Sequence, residues 1–333
     1  MRTGVKVLHT MSQTGRETLS REILKGLGII LLIFAISLYF PIIGFLCSLL
    51  IPLPVLFFRA KLGRKPAVFL SITAAVAMTA ALGGITGDTV LFSGLMLLGL
   101  MLGELFEVDL PVEKTVGFST AAVLSAGFIV LLGYSAVLQT GIFTLVSDYV
   151  TANIQLTLAF YQSMGMSEEN LRIISGAMED LRYILIRISP AITIASTLLI
   201  SWSTVLLSLP LLKAGRLRVP DFGTLNRWRA PENLVWLVIV SGLAAVTPVG
   251  GLMITGINGL IVLGTIYFFN GIAIVSYYFE AKHFSRPARI CLYGLIALQQ
   301  FLLIVVIGLG FFDIWLNFRK LEIQKNDQGR FGG

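Results

Sequence analysis

Polar side chains inside the apolar stretches of this sequence are its strongest candidates for chemistry. Arg187 lies in "RYILIRISP", and Asn258 and Asn270 lie in "TGINGLIVLGTIYFFNG". Such groups are costly at membrane depth unless they are paired or hydrated, so they often mark binding sites. A guanidinium group there would face an anion or a carboxylate. The predicted ligand contacts are Arg187, Tyr134, Gln139, Asn258, Asn270 and Asp88.

Each of these residues also has a structural interpretation. An interhelical hydrogen bond would satisfy an amide or a hydroxyl without any ligand. Arg187 could extend to the membrane surface or pair with Asp148 or Asp88, and Asp88 could instead cap the helix after "GGITG". Asn258 and Asn270 lie about 18 Å apart along a helix and about 120° apart around it, so one site could not easily use both.

The stretch "GLGFFDIWLNFRK" places an acid among aromatic residues just before two basic ones. Aromatic and basic side chains are typical of the point where a helix leaves a membrane. Asp313 and Asn317 are four residues apart and share one helical face, which favours a paired acid with a structural role. The predicted interfacial anchor consists of Asp313, Trp315, Asn317 and Arg319.

The motifs of several enzyme classes are absent from the sequence. It contains no G-x-x-x-x-G-K-[ST], H-E-x-x-H or G-x-S-x-G motif. His9 and His283 lie in the N-terminal tail and a basic loop, and Cys47 and Cys291 lie far apart in apolar runs. We therefore predict no enzyme activity, no catalytic residues, no metal site and no cofactor.

Composition predicts an all-α, polytopic transmembrane helix bundle. Hydrophobic residues make up 56% of the 333 residues and charged residues only 13%, about half the share of a soluble domain. The net charge of +7 comes from basic residues in short loops, where they are topology determinants rather than a nucleic-acid-binding surface. The predicted partner is therefore the lipid bilayer and not nucleic acid.

The hydrophobic runs predict about nine spans, within a bundle over residues 26–312. A basic cytoplasmic tail, 1–25, precedes it, and an amphipathic end and polar tail, 313–333, follow. With the N-terminus inside, 18 of the 25 lysine and arginine residues face the cytoplasm. An odd number of spans places the basic C-terminal end outside, against this charge rule. The spans are 26–40, 43–58, 66–82, 89–105, 115–138, 183–212, 233–249, 255–279 and 289–312.

The long stretch between spans five and six, 141–182, predicts an amphipathic helical hairpin at the outer face. Apolar residues recur at three- and four-residue spacing from Leu171 through Met178 to Ile188, which indicates one stripe of a helix that continues into span six. Ser167 is a natural N-cap, and Gly165 makes the turn. The hairpin could be an interfacial segment, a lid or a surface for a partner.

Small residues recur at helical spacing in spans four and eight. Glycines there let helix backbones approach closely, and Gly99 and Gly103 match the G-x-x-x-G pattern. Packing within one bundle explains them, and a homodimer or contact with another membrane subunit is the alternative. The predicted helix-packing residues are Gly94, Gly99, Gly103, Gly264 and Gly271.

Four stretches carry a resemblance to a known family. They are "FPIIGFLCSLLIPLPVLFFRAKLG", "RAPENLVWLVI", "NGLIVLGTIYFFNGIAIVSYYF" and "GLGFFDIWLNFRKL". Together they resemble the YybS-like family of bacterial multi-pass membrane proteins of unknown function, over about residues 20–322. The chain departs from that family in its acidic loop after span four, where basic residues are expected.

The resemblance implies a place in the bacterial cytoplasmic membrane. The family is distantly similar to the substrate-binding subunits of energy-coupling-factor transporters and to the rod-shape protein MreD. It thereby implies a subunit that needs a partner, such as an ATPase pair, to supply energy.

Two functions remain open from the sequence. One is a solute-binding or transporter-type subunit, with Arg187, Tyr134 and Asn258 as contacts near the outer leaflet. The other is a non-transporting scaffold or assembly factor for envelope or division proteins. A polar, water-accessible cavity between helices would favour the first.

Overall fold

The computed structural model describes residues 2–319, apart from the side chains of residues 2–16, 18, 41, 42, 45, 168 and 171–173. Helices make up 83% of the structure, and the described part contains no strand, so the all-helical prediction is confirmed. The chain divides into two compact units, Met1–Gln139 with Thr197–Phe222 (unit 1) and Thr140–Ser196 with Gly223–Gly333 (unit 2). The predicted polar tail after Arg319 lies outside the described residues.

The helices follow one another with short connections. The first six are α1 (Arg2–Tyr39), α2 (Pro41–Ser48), α3 (Pro52–Leu62), α4 (Arg64–Ala81), α5 (Gly87–Leu105) and α6 (Val112–Leu138). The next six are α7 (Ile142–Ser163), α8 (Glu168–Ala214), α9 (Leu234–Val246), α10 (Gly250–Ala281), α11 (Arg286–Leu298) and α12 (Gln300–Leu316). One turn of 3-10 helix, Leu225–Arg227, precedes α9.

Five helices in the described part are long and apolar enough to cross a membrane, and a bent pair, α11 with α12, would make six. The five are α5, α6, α10 and the apolar parts of α1 and α8. The predicted count of nine spans is therefore not confirmed. Predicted span two divides into α2 and α3, predicted span seven is the 13-residue α9, and predicted span nine divides into α11 and α12.

Proline explains the first of these breaks. Phe40 is extended (φ −124°, ψ 92°), and Pro41 begins α2. Pro52 begins α3, although Ile51 before it keeps the right-handed helical conformation (φ −54°, ψ −38°). Proline has no N–H to donate and disfavours the helical conformation of the residue before it, so it is tolerated in the first turn of a helix and interrupts a longer one.

Ion pairs gather several segments of unit 1 at one end. Arg59, at the end of α3, donates from Nε to Glu104 (2.8 Å) and from both Nη groups to Glu107 (3.0 Å each), at the end of α5 and just beyond it. The carboxylates raise the pKa of Arg59. Lys61 contacts Glu22 near the start of the apolar part of α1.

The acidic loop after α5 is thereby neutralised by neighbouring basic loops. Glu104 also lies 3.5 Å from Arg64, at the start of α4. Asp109 accepts from Arg218, beyond the end of α8, at 2.7 Å. The negative charge that departs from the usual bias of inner loops therefore has basic partners in the segments predicted to share its side.

Two of the predicted packing glycines bring α5 against α3. A Cβ on Gly99 would collide with the carbonyl oxygen of Pro52, and a Cβ on Gly103 would collide with the side chain of Arg59. The G-x-x-x-G pattern is thus used inside unit 1. Gly94, one turn earlier, meets nothing within 4 Å.

The two helices of the predicted hairpin, α7 and α8, belong to unit 2 and are joined at Gly165. Arg182 of α8 donates to Thr151 Oγ1 (2.8 Å) and Ser147 Oγ (3.2 Å) of α7. The N–H of Asn170 donates to Ser167 Oγ at 3.5 Å. None of the α7 residues is buried, and the position of this pair at the outer face of a membrane stays a prediction.

Helix α10 packs against α12 in unit 2 through two glycines. A Cβ on Gly271 would collide with the backbone of Val306, and a Cβ on Gly310 would collide with the backbone of Tyr267. The backbones of the two helices are therefore in contact. Gly264 of α10 and Gly308 of α12 meet nothing within 4 Å.

The pair α11–α12 bends by 101° at Gln299. Tyr293 of α11 contacts Phe279, near the end of α10, with ring centroids 5.3 Å apart. Tyr278, in the same turn of α10, donates from Oη to the carbonyl oxygen of Phe318, just after α12, at 2.8 Å. The bent pair therefore starts and finishes beside the same turn of α10, so we expect it to enter and leave the membrane on one side as a re-entrant segment, in place of the single predicted span.

We expect Gly271→Ala and Gly310→Ala each to lower the free energy of unfolding by about 1–3 kcal/mol, because the new Cβ must push two backbones apart. Gly264→Ala and Gly308→Ala are matched controls on the same helices and should be neutral or stabilising by up to about 1 kcal/mol. Thermal unfolding of the four variants in detergent measures the difference. Equal stability of Gly271→Ala and Gly264→Ala would contradict the close α10–α12 contact.

Candidate functional site

A buried ion pair joins Asp313 and Arg319 in unit 2. Each residue is 1% exposed, and Arg319 Nη2 lies 2.7 Å from Asp313 Oδ2. Helix α12 ends at Asn317, which adopts the left-handed conformation (φ 41°) that asparagine tolerates better than most residues. The chain turns there, so the side chain of Arg319 lies back against Asp313. The N–H of Phe318 donates to Asp313 Oδ1 at 3.1 Å.

Arg319 joins three separate segments of unit 2. Its Nη1 donates to the carbonyl oxygens of Asn226 (3.0 Å) and Trp228 (2.9 Å), before α9. Its Nη2 also donates to Asn270 Oδ1 in α10 at 3.1 Å. Burial lowers the pKa of Arg319, and the carboxylate of Asp313 opposes that shift. Because an arginine in a protein stays protonated, this is a buried cation held by oxygen acceptors.

A second guanidinium group contacts the same carboxylate. Arg229 Nε lies 3.3 Å from Asp313 Oδ2, and Arg229 also donates to Asn317 Oδ1. The side chain of Arg229 is 28% exposed, so it extends from the buried pair toward the surface. We call Asp313, Arg319, Arg229, Asn270 and Asn317 the polar centre of unit 2.

Some polar atoms in and beside the polar centre have no hydrogen-bond partner among the described residues. They are Arg319 Nε, Asn226 Oδ1 and Tyr267 Oη, all buried. Buried polar groups are nearly always paired with protein, water or ligand. This region can therefore form further hydrogen bonds, with Arg319 Nε and Tyr267 Oη as donors and Asn226 Oδ1 as an acceptor.

Asn258 lies outside the polar centre and makes its hydrogen bonds to the backbone of α8 beside Pro190. Its Nδ2 donates to the carbonyl oxygen of Arg187 (3.1 Å), and its Oδ1 accepts from the N–H of Ala191 (3.2 Å). These are the i and i+4 groups that an α-helix joins to each other. Pro190 lies between them and disturbs that ladder. Asn258 thus holds α10 to α8 where the helix is weakened.

The guanidinium group of Arg187 contacts its own helix. It lies 3.4 Å from the ring centroid of Tyr183 and donates from Nη1 to the carbonyl oxygen of Tyr183 at 3.2 Å. A cation over an aromatic ring is a favourable contact. The side chain of Asn258 therefore contacts the backbone carbonyl group of Arg187 and not its guanidinium group.

The remaining predicted ligand contacts belong to unit 1. Tyr134 is 56% exposed, and Gln139 ends α6 in the left-handed conformation, with Nε2 donating to the Ala136 carbonyl oxygen at 2.8 Å. Asp88 is exposed in the first turn of α5. The N-cap of α5 is Thr86 and not Asp88, so the suggested capping role of Asp88 is wrong.

The predicted anchor residues have different environments. Trp315 is 56% exposed, beside Phe311 with ring centroids 5.2 Å apart. Asp313 and Arg319 are inside the polar centre together with Asn317. Of the predicted ligand contacts, only Asn270 joins them, because its Oδ1 accepts from Arg319 Nη2. Its Nδ2 donates to the Gly310 carbonyl oxygen at 2.7 Å.

Three residues beside these were not selected from the sequence: Arg229, Asn226 and Gly310. Arg229 and Asn226 lie in a loop whose basic residues served only as topology signals. Gly310 lies among aromatic residues at a spacing that any apolar helix could show, so its sequence context gave no signal. The sequence offered one signal for a basic partner: the acid of "FFDIW" needs a cation once it is buried.

Comparisons with known proteins agree with this helical architecture. The family described as "Predicted membrane protein (DUF2232)" matches residues 28–314, from α1 to the polar centre. The "Uncharacterized protein YybS" of Bacillus subtilis (strain 168) is 20% identical over 309 residues, which cover 90% of this chain and 98% of that protein. No solved structure matches the chain. Because the family match covers most of the chain, the chain belongs to the YybS-like DUF2232 family of predicted membrane proteins.

Proposed function

We propose that this protein is a substrate-binding or transporter-type membrane subunit that holds a small solute in unit 2 and depends on a partner for energy. The observation that carries the proposal is the re-entrant pair α11–α12, which is interrupted at Gln299 and closes on the polar centre. Interrupted helices are a recurring feature of solute sites in transporters.

The interruption of the helix at Gln299 favours a polar environment. Gln299 is extended (φ −101°, ψ 109°), so backbone groups on either side of it leave the helical ladder. In a membrane, such groups are tolerated only where they are buried in protein or line a water-filled cavity. Gln299 and Gln300 are both exposed. We therefore place the entrance of the solute path beside these two amides.

The polar centre supports a solute with an anionic or hydrogen-bonding group. Asp313 is shared between Arg319 and Arg229, so the immediate centre has two cations and one anion. Arg319 Nε in this centre and Tyr267 Oη, one turn before Asn270 in α10, are buried without a partner in the described chain. A carboxylate or a hydroxyl of a solute would satisfy such donors.

The source of energy would lie outside this chain. The sequence has no P-loop, and we assign it binding and not catalysis. The membrane in question is the bacterial inner membrane, with the N-terminus and the ion-paired end of unit 1 in the cytoplasm. The excess of basic residues in those segments supports this orientation. Another membrane subunit or an ATPase pair would then be the partner, and a homodimer remains compatible with the same site.

Cysteine accessibility tests the proposed path. In a background lacking Cys47 and Cys291, we expect Gln299→Cys and Gln300→Cys to react with a membrane-impermeant maleimide at least about 10-fold faster than Ile304→Cys, because thiols react as thiolates in water and not in lipid. Ile304 is the control because it lies on α12 and its side chain is 65% exposed. If neither glutamine position reacts from either side of the membrane, the solute path is contradicted.

A non-transporting scaffold or assembly factor for envelope or division proteins is the second candidate. The observation in its favour is α7, which exposes Phe143, Tyr149, Leu156 and Phe160. Exposed apolar patches of this kind mark interaction surfaces. Purification in mild detergent separates the two candidates, since an ATPase pair or a bound metabolite would favour transport, and an envelope or division complex would favour the scaffold.

A further inference from the structure

Three basic residues cluster where α10 ends and α11 begins. Lys282 and Arg286 are exposed, and Arg289 follows within the first turn of α11. Arg289 Nε donates to the carbonyl oxygen of Phe284 at 3.0 Å. This bond orients the guanidinium group and leaves its two Nη groups for a ligand. We call Lys282, Arg286 and Arg289 the basic turn.

The backbone holds the basic turn in one conformation. His283 adopts the left-handed conformation (φ 54°), and its N–H donates to the Glu280 carbonyl oxygen at 3.0 Å. The N–H of Phe284 donates to the Phe279 carbonyl oxygen at 2.9 Å. Bonds of this kind end a helix and fix the direction of the next segment. The backbone that carries the three basic side chains therefore has a defined conformation.

The nearby acids are already engaged by other groups. Glu280, six residues before Arg286, accepts a hydrogen bond from the side-chain amide of Asn226. Asp313 is buried between Arg319 and Arg229. The amide leaves the charge of Glu280 in place, but the three cations of the basic turn outnumber that acid and keep a net positive charge for a ligand from outside the protein.

An exposed apolar face of α11 continues from Arg286, which lies one turn before Ile290 on that face, while Arg289 lies toward the side of Ile296. Ile290 is 72% exposed, Leu295 48% and Leu298 84%, while Ile296 on the opposite side is 8% exposed. The helix is 13 residues, or about 20 Å, long. Basic residues at one end and exposed apolar residues along the rest match the two parts of a phospholipid.

We propose that the basic turn binds the headgroup of an anionic phospholipid whose acyl chains lie along α11. The phosphate is held by Arg286 and Arg289, with Lys282 beside it, and Ile290, Leu295 and Leu298 contact the chains. Charge complementarity identifies this occupant, because anionic headgroups attract basic residues next to a membrane helix. The proposal concerns a surface of unit 2 and does not depend on a transported solute.

Native mass spectrometry of the purified full-length protein tests the headgroup contact. We expect it to retain phosphatidylglycerol over phosphatidylcholine, and Lys282→Gln/Arg286→Gln/Arg289→Gln to lower that preference at least about 10-fold. The control Lys25→Gln/Lys61→Gln/Arg218→Gln removes the same charge from cations paired with Glu22 or Asp109, and should keep the preference. Equal loss in both variants, or none in the first, would overturn the proposal.

A second measurement needs no change to the basic turn. Cys291 is exposed on α11, so a fluorophore attached to it in a Cys47→Ala background reports on adjacent lipid. Brominated phosphatidylglycerol should quench it more strongly than phosphatidylcholine with the same brominated chains at equal mole fraction. Inorganic phosphate should not abolish the difference if a lipid is the ligand. Equal quenching by both lipids, release by phosphate alone, or a protein in place of lipid at this label would refute the site.

Discussion

A reporter fused after Gly333 is expected to give the same signal as one inserted between His283 and Phe284. Both ends of the α11–α12 pair lie beside Tyr278 and Phe279, so the chain returns to the side of the membrane from which α11 begins. Residues 320–333 are too polar and charged to form a membrane span. The expected effect is all-or-none, because a reporter active only in the cytoplasm is either active or silent.

A reporter inserted between Gly83 and Gly84 is the control for a helix that does cross the membrane. That turn joins α4 to α5 and lies across unit 1 from the ion pairs of Arg59 and Glu104. A reporter there should read the opposite side from one placed at Gly63. If the fusion after Gly333 instead disagrees with the His283 insertion, α11–α12 crosses the membrane and the original single-span prediction is restored.

Asp313→Ala is expected to lower the free energy of unfolding by about 3–5 kcal/mol, because it leaves the buried guanidinium group of Arg319 without its carboxylate. Both side chains are almost wholly shielded from solvent, at 0% and 1% exposure, so water cannot replace the lost partner. Unfolding by heat or denaturant in detergent measures the change. Asn270→Ala should cost less, because it removes one of several acceptors around Arg319.

An exposed ion pair in the same protein is the control for this loss. Arg218 and Asp109 are 62% and 63% exposed, so Arg218→Ala should cost no more than about 1 kcal/mol. The double substitution Asp313→Leu/Arg319→Met should recover much of the stability lost in Asp313→Ala, since it removes both buried charges. A loss in Asp313→Ala no greater than that in Arg218→Ala would show that the polar centre is hydrated and loosely held.

The helical class and the family could be predicted from the sequence because both depend on local properties. An apolar run of sufficient length indicates a membrane helix wherever it lies. Helices α5, α6 and α10 begin and end close to the predicted spans four, five and eight. The break at Pro41 was predicted, but the runs around Pro52 and Gln299 were joined too freely, because hydropathy averages across a break in the backbone.

The candidate site was less predictable because pairing depends on distance. Asp313 was expected to find Asn317 on its own helical face, yet its carboxylate pairs with Arg319, six residues further on and beyond the end of α12. For Asn258 an interhelical hydrogen bond was the alternative to a ligand contact, and the structure shows that bond, made to the backbone of α8.

The sequence by itself determined that this protein is an all-helical membrane protein of the YybS-like family, since composition and hydropathy require no knowledge of contacts. Only the tertiary structure decided that α11–α12 bends back to the turn of α10 beside which it starts and that Asp313 and Arg319 form a buried pair. It also decided that Gly99, Gly103 and Gly271 are packed while Gly94 and Gly264 are open. The physical reason is that helix crossings and chain reversals set distances between residues far apart in sequence, and ion pairs and close packing depend on those distances.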